Sequence, residues 1–257
     1  TSTCCMEGLA NEWPMAHGQC LLVASMKTQT NDLVLNYNDA IIYGSDLALL
    51  ESPTAWLNDA CINFFLELTK CRLKERQSNT QTSIALLDPS VVFYFVHHCT
   101  ESDEIDEFVA SASLPVTGKI FIPVNDGMVD GLGNTTSVGT HWSLLVLVKH
   151  EGRGEFWYFD SMNKSGNGEV ARLVSRKFEQ HFLGDGSSIF INARTPQQSN
   201  GFDCALHVLA AIQLFSCMEQ QDLESHERLL KEHVDANPNF CLELRRHMVD
   251  EIQSLRK

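Results

Sequence analysis

No stretch of this chain approaches the about 18 consecutive apolar residues that a membrane span needs. CLLVASM, at 20–26, is too short and too mixed. Cations are scarce: Lys and Arg number 19 against 33 Asp and Glu, a formal net charge of −14. That balance argues against nucleic acid as the main partner, because phosphate contacts need clustered Lys and Arg. It suits a partner with a basic face or tail. The first residues lack the charged region and long apolar run of a secretory leader. Cysteine is present nine times, at 4, 5, 20, 61, 71, 99, 204, 217 and 241. The number is odd and the spacing irregular, so no disulfide framework is expected, and the reading is an intracellular protein, cytoplasmic or nuclear, with reduced thiols. Cys4 and Cys5 lack a CxxC partner, and HHC at 97–99 lacks ligand spacing, so no metal and no cofactor are expected. Phosphate chemistry is absent as well. There is no Gly-rich P-loop, and a Cys-x5-Arg loop starting at Cys204 would need Arg at 210, which is Ala210.

What remains is an ordinary globular composition, 44% hydrophobic and 20% charged. Residues 1–31 are polar and irregular and read as a flexible extension. The domain starts near DLVLNYNDAIIYGSDLALL, at 32–50. Helical spacing follows over 52–73, with Pro53 and Thr54 marking the start, then after DPS at 88–90, and in an acidic stretch at 101–111. The period then changes. KIFIPVN at 119–125 reads as a buried strand, 126–139 as a Gly-rich loop, and THWSLLVLVKH (140–150) with EFWYFDS (155–161) as a hairpin. A helix at 168–183 and a strand at 188–194 lead to PQQSNGFDC (196–204), an apolar helix at 205–215 and a charged helical tail at 219–257. One α+β domain over 32–257 fits this order best.

Cys204 opens the apolar helix. A helix start offers unpaired N–H groups and partial positive charge, which favour the nucleophilic thiolate and can serve an oxyanion. Position alone leaves Cys204 open between a nucleophile and a buried inert thiol. A thiol nucleophile needs a base. His141 opens the first hairpin strand and Asp160 closes the second, nearly equidistant from the loop at 151–154, so the two should be neighbours. A carboxylate there would fix the imidazole tautomer, although a purely structural His–Asp pair reads the same way. Gln198 is a further candidate, as an amide donor to an oxyanion or as a solvated loop residue.

Together, GTHWSLLV, YFDS and PQQSNGFDC, in that order, resemble the Ulp/SENP cysteine proteases, which cleave ubiquitin-like modifiers. The resemblance extends from about residue 32 to the end and includes WLND at 56–59. It looks most like the small deneddylase branch, which acts on the neddylation modifier. The resemblance implies a papain-like α+β fold, with a central mixed sheet flanked by helices. It also implies Cys204 as nucleophile, His141 as base and acid, Asp160 as its orienting carboxylate, and Gln198 at the oxyanion hole. Trp56 and Trp142 match the family's tunnel tryptophans, whose rings admit glycine and reject larger residues. Asp59 matches a position near the modifier's C-terminal segment, where it could pair with a basic residue or simply serve a helix N-terminus. The implied partners are the neddylation modifier and conjugates such as cullins, with a monomeric enzyme. Alternatives are a protease for SUMO, a catalytically impaired modifier-binding module, and a Cys-His-Asp acyltransferase. The family usually has Gly after the nucleophile; Ala205 stands there and adds a methyl beside the oxyanion hole.

Overall fold

The computed structural model describes residues 31–76, 84–112, 114–115, 117–128, 139–151, 153–162, 165–183, 187–218 and 223–256. The expected extension at 1–31 lies almost wholly outside the described residues, as does 129–138 of the Gly-rich loop.

The chain enters through a hairpin of β1 (Leu33–Tyr37) and β2 (Ala40–Tyr43), turned by Asn38 at φ 51. The short helix α1 (Gly44–Glu51) follows. The next helix, α2 (Asp59–Arg76), starts later than the sequence spacing predicts. Asn58 is the reason. Its Oδ1 accepts from the Cys61 amide at 3.1 Å, and its Nδ2 donates to Asp46 at 2.7 Å, so the cap sits at 58 and residues 52–58 stay non-helical.

A five-stranded mixed sheet carries the rest of the fold, in the order β3-β4-β5-β6-β7. These are β3 (Ile84–Leu86), β4 (Gly118–Asn125), β5 (Trp142–His150), β6 (Arg153–Phe159) and β7 (Ser187–Asn192). The two outer pairs are parallel, and β4–β5 and β5–β6 are antiparallel. All eight residues of β4 are buried, which requires cover on both faces and explains its apolar run from Ile120 to Val124. The cover comes from α3 (Pro89–His97), α5 (Asn167–Phe182) and α6 (Cys204–Ser216), while α4 (Ser102–Ser111) packs against α5. The chain continues through α7 (Leu223–Ala236) and α8 (Phe240–Leu255).

Twelve of the thirteen residues of α6 are buried, so this helix has no solvent face and lies at the centre of the core. Its far end is closed by Lys119 of β4. The fully buried Lys119 Nζ donates to the carbonyls of Phe215 and Met218 at 3.3 and 3.0 Å, and it meets His226 Nε2 at 3.1 Å. Burial pushes Lys119 down to about 8. A cation at this end complements the helix dipole.

Candidate active site

The first turn of α6 presents Cys204, and β5 starts one residue after His141. Asp160 follows the last residue of β6. The β5–β6 register pairs Leu144 with Phe159 and His150 with Arg153, so the turn is tighter than the EGRG loop read from the sequence. Continued outward, that register sets Asp160 opposite Ser143 and brings it to His141 on the diagonal. The predicted pairing survives because diagonal neighbours remain within side-chain reach. His141 Nε2 lies 2.6 Å from Asp160 Oδ1.

That bond leaves Nδ1 as the free nitrogen of the ring. It is buried without a hydrogen-bond partner, and the Cys204 side chain acts on the same imidazole. Burial alone would push His141 down, but the carboxylate of Asp160 and the thiol of Cys204 outweigh it and raise it to about 9. At neutral pH the ring is therefore an imidazolium. A second buried histidine, His207, lies one turn along α6. Burial drives it the other way, to about 4, and its ring meets Phe240 edge-on at 5.0 Å. Of these two rings near Cys204, only His141 is a cation at neutral pH.

Asp160 is more than a hydrogen-bond acceptor for one histidine. It accepts from Tyr158 Oη at 2.8 Å, from the Met162 amide at 2.9 Å and from the Ser165 hydroxyl. Burial raises a carboxyl, yet these donors together with His141 hold Asp160 below the usual carboxylate range. The backbone of His141 is fixed from both sides. Asp126 accepts from its amide at 3.0 Å and also binds Thr140 through backbone and hydroxyl. Asn167, fully buried, donates to the His141 carbonyl at 3.0 Å and to Ser143 Oγ at 3.0 Å. Gly139 precedes this clamp at φ +68, and a Cβ there would fall 1.6 Å from Asn125 Oδ1, so only glycine fits.

Gln198 is held in the loop before Cys204. Its Oε1 accepts from Ser161 Oγ at 2.7 Å, its Nε2 donates to the Asn200 carbonyl at 2.6 Å, and its amide donates to the Ser161 carbonyl at 2.9 Å. A primary amide has two N–H bonds, so one remains for a ligand. Ala205 is fully buried, and its methyl belongs to the core cluster.

The resemblance implies a channel between two tryptophans. In the structure the rings of Trp56 and Trp142 stack directly, with centroids 5.7 Å apart and planes 15° from parallel. A peptide between them would need two van der Waals contacts, about 7 Å in all. No peptide fits between the rings as they stand, in keeping with a Cys204 that is 0% exposed. Trp142 Nε1 donates to the Leu57 carbonyl at 2.9 Å and anchors the segment that bears Trp56. Asp59 is exposed. Its carboxylate accepts only from the neighbouring Ala60 amide among the described residues, at 3.0 Å, while Asn58 does the capping.

Sequence reasoning missed Asn58, Asp126, Tyr158, Ser165, Asn167 and Arg245. A polar residue just before a helix could have flagged Asn58. Asp126, Asn167 and Arg245 act across long sequence separations and left no local signal, whereas Tyr158 and Ser165 lie two and five residues from the Asp160 they bind. Arg245 of α8 is 2% exposed and donates to the Leu49 and Ala55 carbonyls at 3.0 and 2.6 Å and to Asp203 Oδ1 at 3.2 Å.

A thiol beside an imidazolium oriented by a carboxylate, at a helix start with an amide donor nearby, can perform acyl transfer through a thioester. Residues 55–240 match the model of the Ulp1 protease family, C-terminal catalytic domain. The chain is 34% identical to a probable sentrin-specific protease 8 of Dictyostelium discoideum, over 72% of this chain and 75% of that one. It is 29% identical to NEDD8-specific protease 1 of Arabidopsis thaliana, over 71% and 75%. Among solved structures, a de-sumoylating protease superposes with a TM-score of 0.62 at 16% identity, covering 86% of this chain and 90% of that one. At that identity the likeness concerns the fold, the mixed sheet flanked by helices.

Proposed function

This chain belongs to the Ulp1 protease family and is a cysteine-type peptidase; from that premise we propose that it cleaves the amide bond after the C-terminal glycine pair of a ubiquitin-like modifier, with NEDD8 preferred. The observation that carries the chemistry is the His141–Asp160 contact at 2.6 Å, made by the same imidazole on which the Cys204 side chain acts. The preference for NEDD8 is supported by relatives that include a NEDD8-specific protease.

In this reading Cys204 Sγ attacks the carbonyl carbon of the terminal glycine. The oxyanion is met by the free N–H of Gln198 and the backbone N–H of Cys204. The C–N bond breaks as His141 gives its proton to the lysine amine, which leaves a thioester. Water then attacks the thioester, with His141 taking its proton, and the C–S bond breaks to free the modifier's carboxylate. Asp59, exposed at the start of α2, is placed to pair with a basic residue before the glycines, and the net charge of −14 suits such a partner. Conjugates such as neddylated cullins and a monomeric enzyme belong to the same proposal.

The test is a side-by-side reaction with NEDD8 and SUMO that carry a C-terminal vinyl electrophile. The NEDD8 probe should label Cys204 faster. Faster labelling by SUMO would reassign the modifier, and binding without labelling would make the chain a binding module.

Two further outcomes are expected. His141 titrates at about 9 in the fold, above its ordinary value of about 6.5. The stability it contributes is therefore complete below about pH 6.5 and is lost as pH rises through about 9. The plateau of kcat/KM should accordingly fall above pH about 9 as the imidazolium is lost, and a limb near 6.5 would contradict the paired state. Entry of a glycine tail must also part Trp56 from Trp142. Adding NEDD8 to the Cys204→Ala variant should therefore weaken the exciton couplet of the stacked indoles in circular dichroism. An unchanged couplet in a formed complex would mean that the tail runs elsewhere.

A further inference from the structure

We propose that Arg245 is a positioning residue that keeps the oxyanion donors at the start of α6 free and holds them in register with Trp56. The inference rests on the reading of Cys204 as the nucleophile. An aspartate at a helix N-cap ordinarily turns its carboxylate onto the amides of the first turn. Asp203 occupies that position but makes no such bond. Its Oδ2 accepts from Asn200 Nδ2 at 2.8 Å and its Oδ1 from Arg245 Nη2 at 3.2 Å, so the carboxylate is drawn away from the helix end. A carboxylate folded onto those amides would put a negative charge, and a competing acceptor, where the tetrahedral oxyanion must form.

The same guanidinium reaches the other wall of the site. Arg245 donates to the carbonyl of Ala55, the residue before Trp56, and to that of Leu49. A planar fork engaged by these acceptors has little freedom, which a lysine ammonium could not reproduce. Arg245 thus ties the segment carrying Trp56 to the residue preceding Cys204. It lies beyond the segment that matches the family, 55–240.

The experiment is a cycle of Arg245→Gln, Asp203→Ala and the double variant, each first checked for cooperative melting. Arg245→Gln should lower turnover of a NEDD8 C-terminal amide by about tenfold or more, mainly in kcat, because the freed carboxylate caps the helix and spoils the geometry of attack. Adding Asp203→Ala should restore most of that loss, since alanine brings neither a negative charge nor a competing acceptor. A merely structural arginine predicts the opposite, a double variant no better than Arg245→Gln. Should Arg245→Gln not fold, Arg245→Lys replaces it, with the same recovery expected.

A readout without modifier runs in parallel, the nitrophenolate burst from para-nitrophenyl acetate, with Cys204→Ala as background. There the Cys204 thiolate forms a thioester with the acetyl group, and nitrophenolate leaves with the electron pair. If wild type cleaves the modifier and Arg245→Gln matches it in both assays, the inference is wrong and the proposed function stands. If wild type gives the burst but cleaves no modifier, the proposed function falls, and the burst alone still decides the role of Arg245.

Discussion

Cys204→Ser should abolish turnover, lowering kcat/KM on a NEDD8 C-terminal amide by about 10^5-fold, while melting and modifier binding stay close to wild type. The exchange is nearly isosteric, and the site is fully buried within α6, so the core is kept. What changes is the acid–base match. His141 is lifted to about 9 partly by Cys204 itself, so the resting ring is already protonated. A serine hydroxyl must lose its proton during attack, and a protonated imidazole cannot take it. The measurement is steady-state cleavage with an active-site probe as control. A serine variant that turns over at a rate near wild type would show that another group attacks.

Asp160→Asn should cost about 10^3–10^4-fold in kcat with the fold intact. Asp160 accepts from His141, Tyr158, Ser165 and the Met162 amide, and the two oxygens of a carboxylate can serve them all. Asparagine keeps one accepting oxygen and sets an N–H donor against groups that themselves donate. The imidazole then loses its orientation and the charge that supports its proton. The basic limb of the pH profile should move down from about 9 toward the ordinary value of about 6.5. An Asn variant whose limb stays in place would show that Cys204 alone holds the proton on His141.

Much of the site could be read before any coordinates, for reasons particular to a few elements. Hairpin geometry predicted that His141 and Asp160 would meet, and they do, although the register differs and the meeting is diagonal. The apolar run after Cys204 marked a buried helix, and α6 is one. Local polarity misplaced the start of α2, because Pro53 and Thr54 look like helix-start signals while the working cap is Asn58. The short parallel strand β3 carries three residues and had no pattern long enough to register.

The order of residue types along the chain determined the chemical class. It specified a thiol at a helix start, an imidazole and a carboxylate at the two ends of one hairpin, and an amide six residues before the thiol. Those relations are local or follow the period of a strand, and period is written in sequence. Tertiary structure alone decided how the groups are held. Asp126 and Asn167 fix the backbone of His141, Tyr158 and Ser165 help hold Asp160 ionised, and Arg245 draws Asp203 off the helix that carries Cys204. It also decided that Trp56 and Trp142 rest in contact rather than apart. Most of these contacts join residues distant in the chain, and which polar partner a buried group meets depends on how the layers pack, a property that no single segment encodes.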